Sequence, residues 1–461
     1  MASTCKLMVV VNDNGLLTKL ASAWIYWRDQ GAFQVLRADS QGVIRAFSGS
    51  GDAADPGSYG QLFLTEEGRQ VDVCMTQTAA PVTQKDAEAF LLPRTVIHGL
   101  SEDSATEPSV IAPGGATNTI RRVPLGRLDV PAPLPLTLNI VAPTANQQFL
   151  IDPTPAMPTI QAKVKVVNAP AGAETRINFT WEVEVRFNPS TDGCANGPSR
   201  NFALVVPSAQ QLGDSHTITF PSFIGGNLLI KVSAVLLGQK VTAQVTGTIL
   251  GANPQIASLR AAIGADDTLA RIGFHESGYR QFAAATNGGT NVCPLWSGDR
   301  LGGVGIFQLT NPAPTVEQAW SWAANLAAGR AHLHAARATA HAFPHQLAGR
   351  PVFVSAVATI NAQRAASGHA ALTVVIPPWT AAQEEDDAIR GYNGYGSQHD
   401  VFGGVLREFR LVMNGNVPAL NVNESTRVGT AMWERVPVAA RGTSGDPNYV
   451  NNVNNANPPT S

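Results

Sequence analysis

Hydrophobic and polar positions alternate with period two in several runs of the first 250 residues, then change to helical spacing near residue 255. Leu7–Val11, Ala23–Trp27, Phe33–Leu36, Gly42–Phe47 and Gln70–Met75 are short apolar or alternating runs. Turn sequences such as NDNG and GSGD separate several of them. That pattern predicts a small all-β sandwich over residues 1–127. Trp24 and Trp27 lie three apart on one strand and point to opposite faces, so at least one belongs to a core rather than to an exposed sugar platform. The run VPAPLPL carries prolines at alternate positions and reads as an extended linker over 128–136. Ile160–Val167, Asn178–Phe187, His216–Phe220 and Val241–Ile249 then alternate again, predicting a second, immunoglobulin-like β-sandwich over 137–252. Neither β region gathers titratable residues into a candidate site.

Helical periodicity follows in Ser258–Ala265, Thr268–Tyr279, Thr315–Ala342, Val352–Ser367 and Ala381–Gly391. They predict an α-rich domain over 255–455, with a disordered tail at 456–461. The composition shift near residue 253 predicts a boundary beyond which the chain folds, and works, on its own.

A length of 461 residues suits about three domains, and 44% hydrophobic with 14% charged residues suits globular cores. The net charge of −2 supplies no positive field for nucleic acid. No apolar run is long enough to span a membrane, and the opening MASTCKLMVVVNDNG does not read as a secretory signal peptide. The sequons at Asn178 and Asn423 therefore carry no weight. Cys5, Cys74, Cys194 and Cys293 are widely spread and form no C-x-x-C pair, which argues against a cysteine metal site. Cys5 and Cys74 fall in strands of one region and read as two buried thiols, with pairing as the alternative.

Candidate chemistry lies in the α-rich part. In RIGFHESGYR, Glu276 sits near a helix end with Phe274 and Tyr279 nearby, before Gly278 stops the helix. Burial against such groups raises a carboxyl's pKa towards the range a general acid requires. GGVGIFQLTN places glycine-rich backbone beside Gln308, whose amide both donates and accepts. AIRGYNGYG places Tyr392 and Asn393 just after a helix. His334, His341 and His345 would share a helix face, but Pro344 is expected to interrupt that helix and no carboxylate lies within a turn, so no metal site is assigned. The acidic run Glu384–Asp387 reads as a solvated helix face, and Trp320 and Trp322 as core. No cofactor is implied.

Taken in order, Glu276-Ser277, Gly305-Ile306-Phe307-Gln308 and Gly391-Tyr392-Asn393-Gly394 resemble the three motifs of the lysozyme-like superfamily, in its soluble lytic transglycosylase and goose-type lysozyme branches. Tyr449-Val450-Asn451-Asn452-Val453 resembles the closing Tyr-x-x-x-Val helix, and the resemblance covers about 255–455. Gly391 stands where the family has Ala, and Gly394 comes one residue early. The resemblance implies that Glu276 protonates the glycosidic oxygen of peptidoglycan, while Ser277, Gln308, Tyr392 and Asn393 bind the glycan strand. WSGDRLGGVGIFQ is similar to a goose-type segment in which Asp299 would help activate water, although Thr310 stands where those enzymes often carry a second Asp. The implied activity is muramidase, with a lytic transglycosylase or a non-catalytic peptidoglycan binder as alternatives. An antibacterial effector or lysin, exported by a dedicated system to the periplasm or cell wall of a target bacterium, fits this reading. Secretion machinery or an immunity protein would then be its protein partners.

Overall fold

The computed structural model describes residues 4–13, 16–19, 22–39, 43–46, 63–66, 68–76, 81–99, 125–131, 135–283, 293–441 and 445–459. The GSGD turn, half of NDNG, the centre of VPAPLPL, residues 284–292 and the last two residues lie outside these, as does the Cys5 side chain.

The first region contains β1 (Thr4–Asp13), β2 (Leu16–Lys19), β3 (Trp24–Asp29), β4 (Ala32–Ala38), β5 (Ile44–Ala46), β6 (Leu64–Glu66), β7 (Gln70–Thr76), α1 (Gln84–Glu88), β8 (Leu92–Gly99) and β9 (Leu125–Pro131). Two packed sheets were expected here, but the described strands form one nine-stranded sheet ordered β2-β1-β9-β8-β7-β3-β4-β5, with β6 also on β1. The cause is β8, which bonds to both β7 and β9 and joins what would otherwise be separate layers. Twist then curls the sheet, and β1 returns against β5. The expected linker at 128–136 is also corrected. Leu128–Pro131 pair in parallel with Val9–Asn12, and Pro131 is the last residue of the strand. Trp24 and Trp27 are both buried, on opposite faces: Trp24 joins the core of the next module, and Trp27 packs with Ile25, Leu36 and Val73. Cys74 is a buried free thiol, and burial pushes its pKa up to about 12.

The second region is a β-sandwich. One sheet is β10 (Thr137–Ala142), β12 (Ile160–Val167) and β15 (Ser215–Ile218). The other runs β11 (Gln147–Leu150), β17 (Gln239–Leu250), β16 (Gly226–Leu236), β13 (Asn178–Phe187), β14 (Phe202–Leu212). Ile160, Ala162, Val164 and Val166 face Phe179, Trp181, Val183 and Val185 across the core, while their neighbours along each strand point outwards.

Helices α2 (Ile256–Ile263), α3 (Asp267–Ser277), α4 (Val316–Trp320), α5 (Trp322–Ala348), α6 (Pro351–Ala366), α7 (Ala381–Asn393) and α8 (Tyr449–Asn454) make up most of the remainder, with a small three-stranded sheet and two strand pairs between 373 and 435. The expected helix over 315–342 is two helices, because Ser321 leaves helical geometry and its hydroxyl caps the Ala324 amide. Helix α5 then runs through Pro344, contrary to the expected interruption. Pro344 lies only four residues from the helix end and its ring is buried, so little helix is left to lose. The acidic run is not simply solvated. Asp387 is fully buried and ion-paired to Arg407, Glu385 pairs with Arg337, and Asp386 pairs with Arg435.

The expected boundary near 253 is crossed by the core itself. Trp320 packs edge-on against Phe187 of the sandwich at 4.9 Å and beside Phe282 at 5.7 Å. Phe282, Trp296, Val304 and Trp320 belong to the same apolar cluster as the sandwich interior. Trp322 Nε1 donates to Pro153 O at 2.8 Å, Arg200 donates to Pro314 O at 2.9 Å, and a disulfide links Cys194 to Cys293. Independent folding of the segment from 255 onward does not fit this packing.

Candidate active site

Helix α3 positions Glu276. Its N-terminus is capped by Asp266, which accepts from the Leu269 amide at 3.1 Å and is itself clamped by Arg337. It ends where Gly278 takes a left-handed φ of 62° and returns its amide to Phe274 O at 2.8 Å. Glu276 therefore occupies the last turn. The helix can approach the 304–309 segment because Gly273 has no side chain: a Cβ there would meet the Phe307 ring at 3.1 Å and Ile306 Cγ2 at 3.2 Å. Gly305 turns the segment with φ 75°, and a Cβ on it would strike Asn325 Nδ2 and Gln281 Oε1 at 2.5 Å.

Those two buried amides were not singled out from the sequence. Gln281 donates to Ala319 O (2.8 Å) and Gln318 O (3.0 Å) and accepts from Ile306 N (3.3 Å). Asn325 accepts from Phe307 N (3.0 Å) and donates to Val304 O (3.0 Å). Together they satisfy backbone groups that a buried glycine-rich turn would otherwise leave unpaired. The only available signal was two amides set in apolar surroundings, which is too common to single out.

The half-buried Glu276 receives a hydrogen bond on Oε1 from the Tyr449 hydroxyl. Its pKa is raised to about 7, chiefly because burial penalises the carboxylate. The Tyr449 bond works against that rise, while the charges of Asp299 and then Asp446 add to it. With Tyr449 donating to Oε1, the proton of the neutral acid belongs on Oε2. Burial raises the pKa values of Tyr392 and Tyr449 far above the ordinary phenol value, and Glu276 adds to both, so both remain neutral donors.

The other expected site residues fall as follows. Tyr392 is buried; its hydroxyl donates to Phe307 O at 2.9 Å, and its ring stands edge-on to His332 at 4.8 Å. Asn393, at the end of α7, lies against Gly445, where a Cβ would sit 3.2 Å from Asn393 Nδ2. Gln308 donates to Gly305 O at 2.8 Å and has a positive φ of 44°, so its amide nitrogen braces its own turn. Ser277 is corrected: its buried hydroxyl donates to Gly273 O at 3.1 Å and accepts from Arg280 N at 3.1 Å. Both bonds close the helix end, so its expected glycan contact is replaced by a local cap. Asp299 is exposed, and its Oδ1 accepts from Ser297 Oγ at 2.5 Å and Leu301 N at 2.9 Å. These bonds, the Ser297 hydroxyl first, hold its carboxyl below the ordinary value, so it is ionised where Glu276 is protonated.

Asp446 was not foreseen. It precedes α8 and accepts from Asn448 N (2.8 Å) and Asn452 Nδ2 (2.7 Å), fixing the turn that delivers Tyr449 to Glu276. Among the described residues no group of three or more His, Cys, Asp or Glu is placed to hold a metal ion. His341 instead contacts Glu384 at 2.9 Å. No helix among them is long and apolar enough to cross a membrane.

No family model matches the chain, and no curated protein matches it. Among solved structures, an engineered protein is similar at 13% identity and TM-score 0.17, over 27% of this chain and 22% of that one. Fibronectin(III)-like modules of Clostridium thermocellum CbhA are similar at 16% identity and TM-score 0.14, over 24% of this chain and 94% of theirs. The N-terminal four Ig domains of Dscam1 are similar at 10% identity and TM-score 0.15, over 55% of this chain and 54% of theirs. The chain thus spans about a fifth of the engineered protein and about half of the Dscam1 structure. The sandwich assignment rests on the strand order above.

Proposed function

We propose that the protein is a muramidase that cleaves the β-1,4 bond between N-acetylmuramic acid and N-acetylglucosamine in peptidoglycan. The observation that carries this is the half-buried Glu276 carboxyl, orientated by the Tyr449 hydroxyl and pushed up to about 7 by burial, near a second carboxyl, Asp299, held ionised. Two titratable groups pushed apart in this way supply an acid and a base at one pH. In this reading Glu276 Oε2 protonates the leaving oxygen, and Asp299 takes a proton from the water that attacks the anomeric carbon. Gln308 and Asn393 line the glycan, and Tyr392 holds the Phe307 carbonyl and with it the Gly305–Gln308 turn. The acid and base rest on these residues, and the choice of peptidoglycan as substrate rests on the motif resemblance to the lysozyme-like superfamily. A lysozyme-like fold for residues 255–455, and action in a periplasm or cell wall as an effector or lysin, belong to the same proposal. The disulfide supports an oxidising setting. Secretion machinery or an immunity protein would be its protein partners.

One observation favours a second reading, lytic transglycosylase. Both bonds to Asp299 Oδ1 belong to the 297–301 turn, which is what a purely structural aspartate would show. Digesting peptidoglycan in ¹⁸O-labelled water separates the two. A muramidase places one ¹⁸O on each new reducing end, whereas a transglycosylase gives unlabelled 1,6-anhydromuramyl ends.

A further inference from the structure

Cys194 lies in the β13–β14 connection of the sandwich and Cys293 in the helical part, 99 residues away. The Cys194 side is rigid: Cys194 N donates to Pro189 O at 3.0 Å, Asp192 N to Asn188 O at 2.8 Å, and Asn188 N to Asp192 Oδ2 at 2.8 Å. Cys293 begins a ribbon that ends in the candidate site. Ala283 N donates to Cys293 O (2.8 Å), Leu295 N to Gln281 O (2.9 Å), and Ser297 N to Gly303 O (2.8 Å). Gly305 N donates to Leu295 O (2.9 Å), and Ser297 Oγ to Asp299 (2.5 Å). The ribbon thus carries Asp299 and braces the turn of Gln308, and Cys293 on it is bolted to the sandwich. Both cysteines are buried, Cys194 at 8% and Cys293 at 7% exposure, so a thiol or disulfide reagent reaches the pair only through local opening of this junction.

We propose that the Cys194–Cys293 pair is a redox switch for the candidate site: as a disulfide it clamps the 293–299 ribbon in register, and as two thiols it releases it. The structural half stands alone, and the loss of activity rests on the muramidase reading. Oxidation needs a disulfide oxidant of the glutathione class. One cysteine thiolate attacks it, forming a mixed disulfide and expelling one thiol. The second cysteine then displaces the remaining thiol, so the pair loses two electrons and two protons while one oxidant disulfide becomes two thiols. In a reducing compartment the site is loose, and it tightens on entry to an oxidising one.

The test uses the full chain, reduced after folding and compared with its oxidised form, with thiols counted by alkylation and mass. Amide hydrogen exchange at Leu295, Ser297 and Gly305 should speed up at least tenfold on reduction, while Ala270 in α3 and Gly278 at its C-terminal cap stay protected. Peptidoglycan cleavage should fall at least tenfold and return on addition of glutathione disulfide. The Cys194→Ser/Cys293→Ser variant should match the reduced form and ignore reductant. Unchanged ribbon exchange overturns the switch, as does loss of protection throughout α3, which would make the disulfide a global staple. A reductant response surviving in the double variant also overturns it. Oxidised protein that cleaves nothing overturns the muramidase reading, while the exchange measurement still decides the switch.

Discussion

Glu276→Gln should stabilise the folded protein, and only above a defined pH. The folded-state pKa of about 7 stands above the ordinary value of 4.5. Below the lower value Glu276 is protonated in both states, and its burial costs nothing extra. As pH rises through the interval the unfolded chain releases the proton and the folded chain resists, so stability falls until the pH passes about 7. A gap of roughly two and a half units corresponds to about 3.4 kcal/mol at 1.36 kcal/mol per unit. Solvent still reaches part of the side chain, so about half that is expected. Glutamine never ionises and keeps an oxygen for the Tyr449 hydroxyl. The variant should therefore match the wild type at about pH 4 and melt roughly 3–7 °C higher at pH 8, using about 2–4 °C per kcal/mol. Thermal unfolding across that pH range reads it directly. A difference that is the same at both pH values, or a variant less stable at pH 8, would refute the argument that burial sets this carboxyl's pKa.

Tyr449→Phe removes a bond that favours the carboxylate, so the Glu276 pKa should rise further and the basic limb of the rate profile should move up by about one unit. An unmoved limb would mean that Tyr449 does not touch the acid in solution. Asp299→Asn should cut kcat by about 10²-fold or more with little change in KM if Asp299 activates water; an unchanged rate at an unchanged melting temperature would remove it from the mechanism. Trp320→Ala empties the junction between the sandwich and the helical part and should cost about 3–5 kcal/mol in denaturant unfolding. For the same reason the fragment from 255 onward, lacking Phe187 and Cys194, should be far less stable than the whole chain. A loss below about 1 kcal/mol in the variant, together with a stable fragment, would mean that the junction contributes little.

Periodicity made the local elements legible. The alternation in IQAKVKVV and NFTWEVEVRF marks strands with one buried face, and the Gly278 stop places Glu276 in a last helical turn. What periodicity does not encode is pairing at a distance. Nothing in the run at 92–99 shows that β8 bonds on both sides, so one curled sheet was read as two. Cys194 and Cys293 come from loops of different regions, and sequence spacing gives no measure of their separation in space. Asp387 reads as solvated because three other acids immediately precede it, yet it lies on the inward face of α7 opposite Arg407. Pro344 reads as a helix breaker in sequence, but where α5 ends is set by packing that local sequence does not show. Phe274 and Tyr279, expected beside Glu276, stack edge-on against each other at 5.5 Å, and the hydroxyl that reaches Glu276 is that of Tyr449, 173 residues away, which sequence spacing does not show.

The measurement closest to the central claim is digestion of purified peptidoglycan by the oxidised wild type and by Glu276→Gln, with soluble fragments identified by mass. The wild type should release muropeptides with reducing N-acetylmuramic acid ends, and the variant, equally folded, should release at least 10²-fold less. No fragments from the folded wild type, or equal release by the variant, would contradict the assignment of Glu276 as the acid of a glycan-cleaving site.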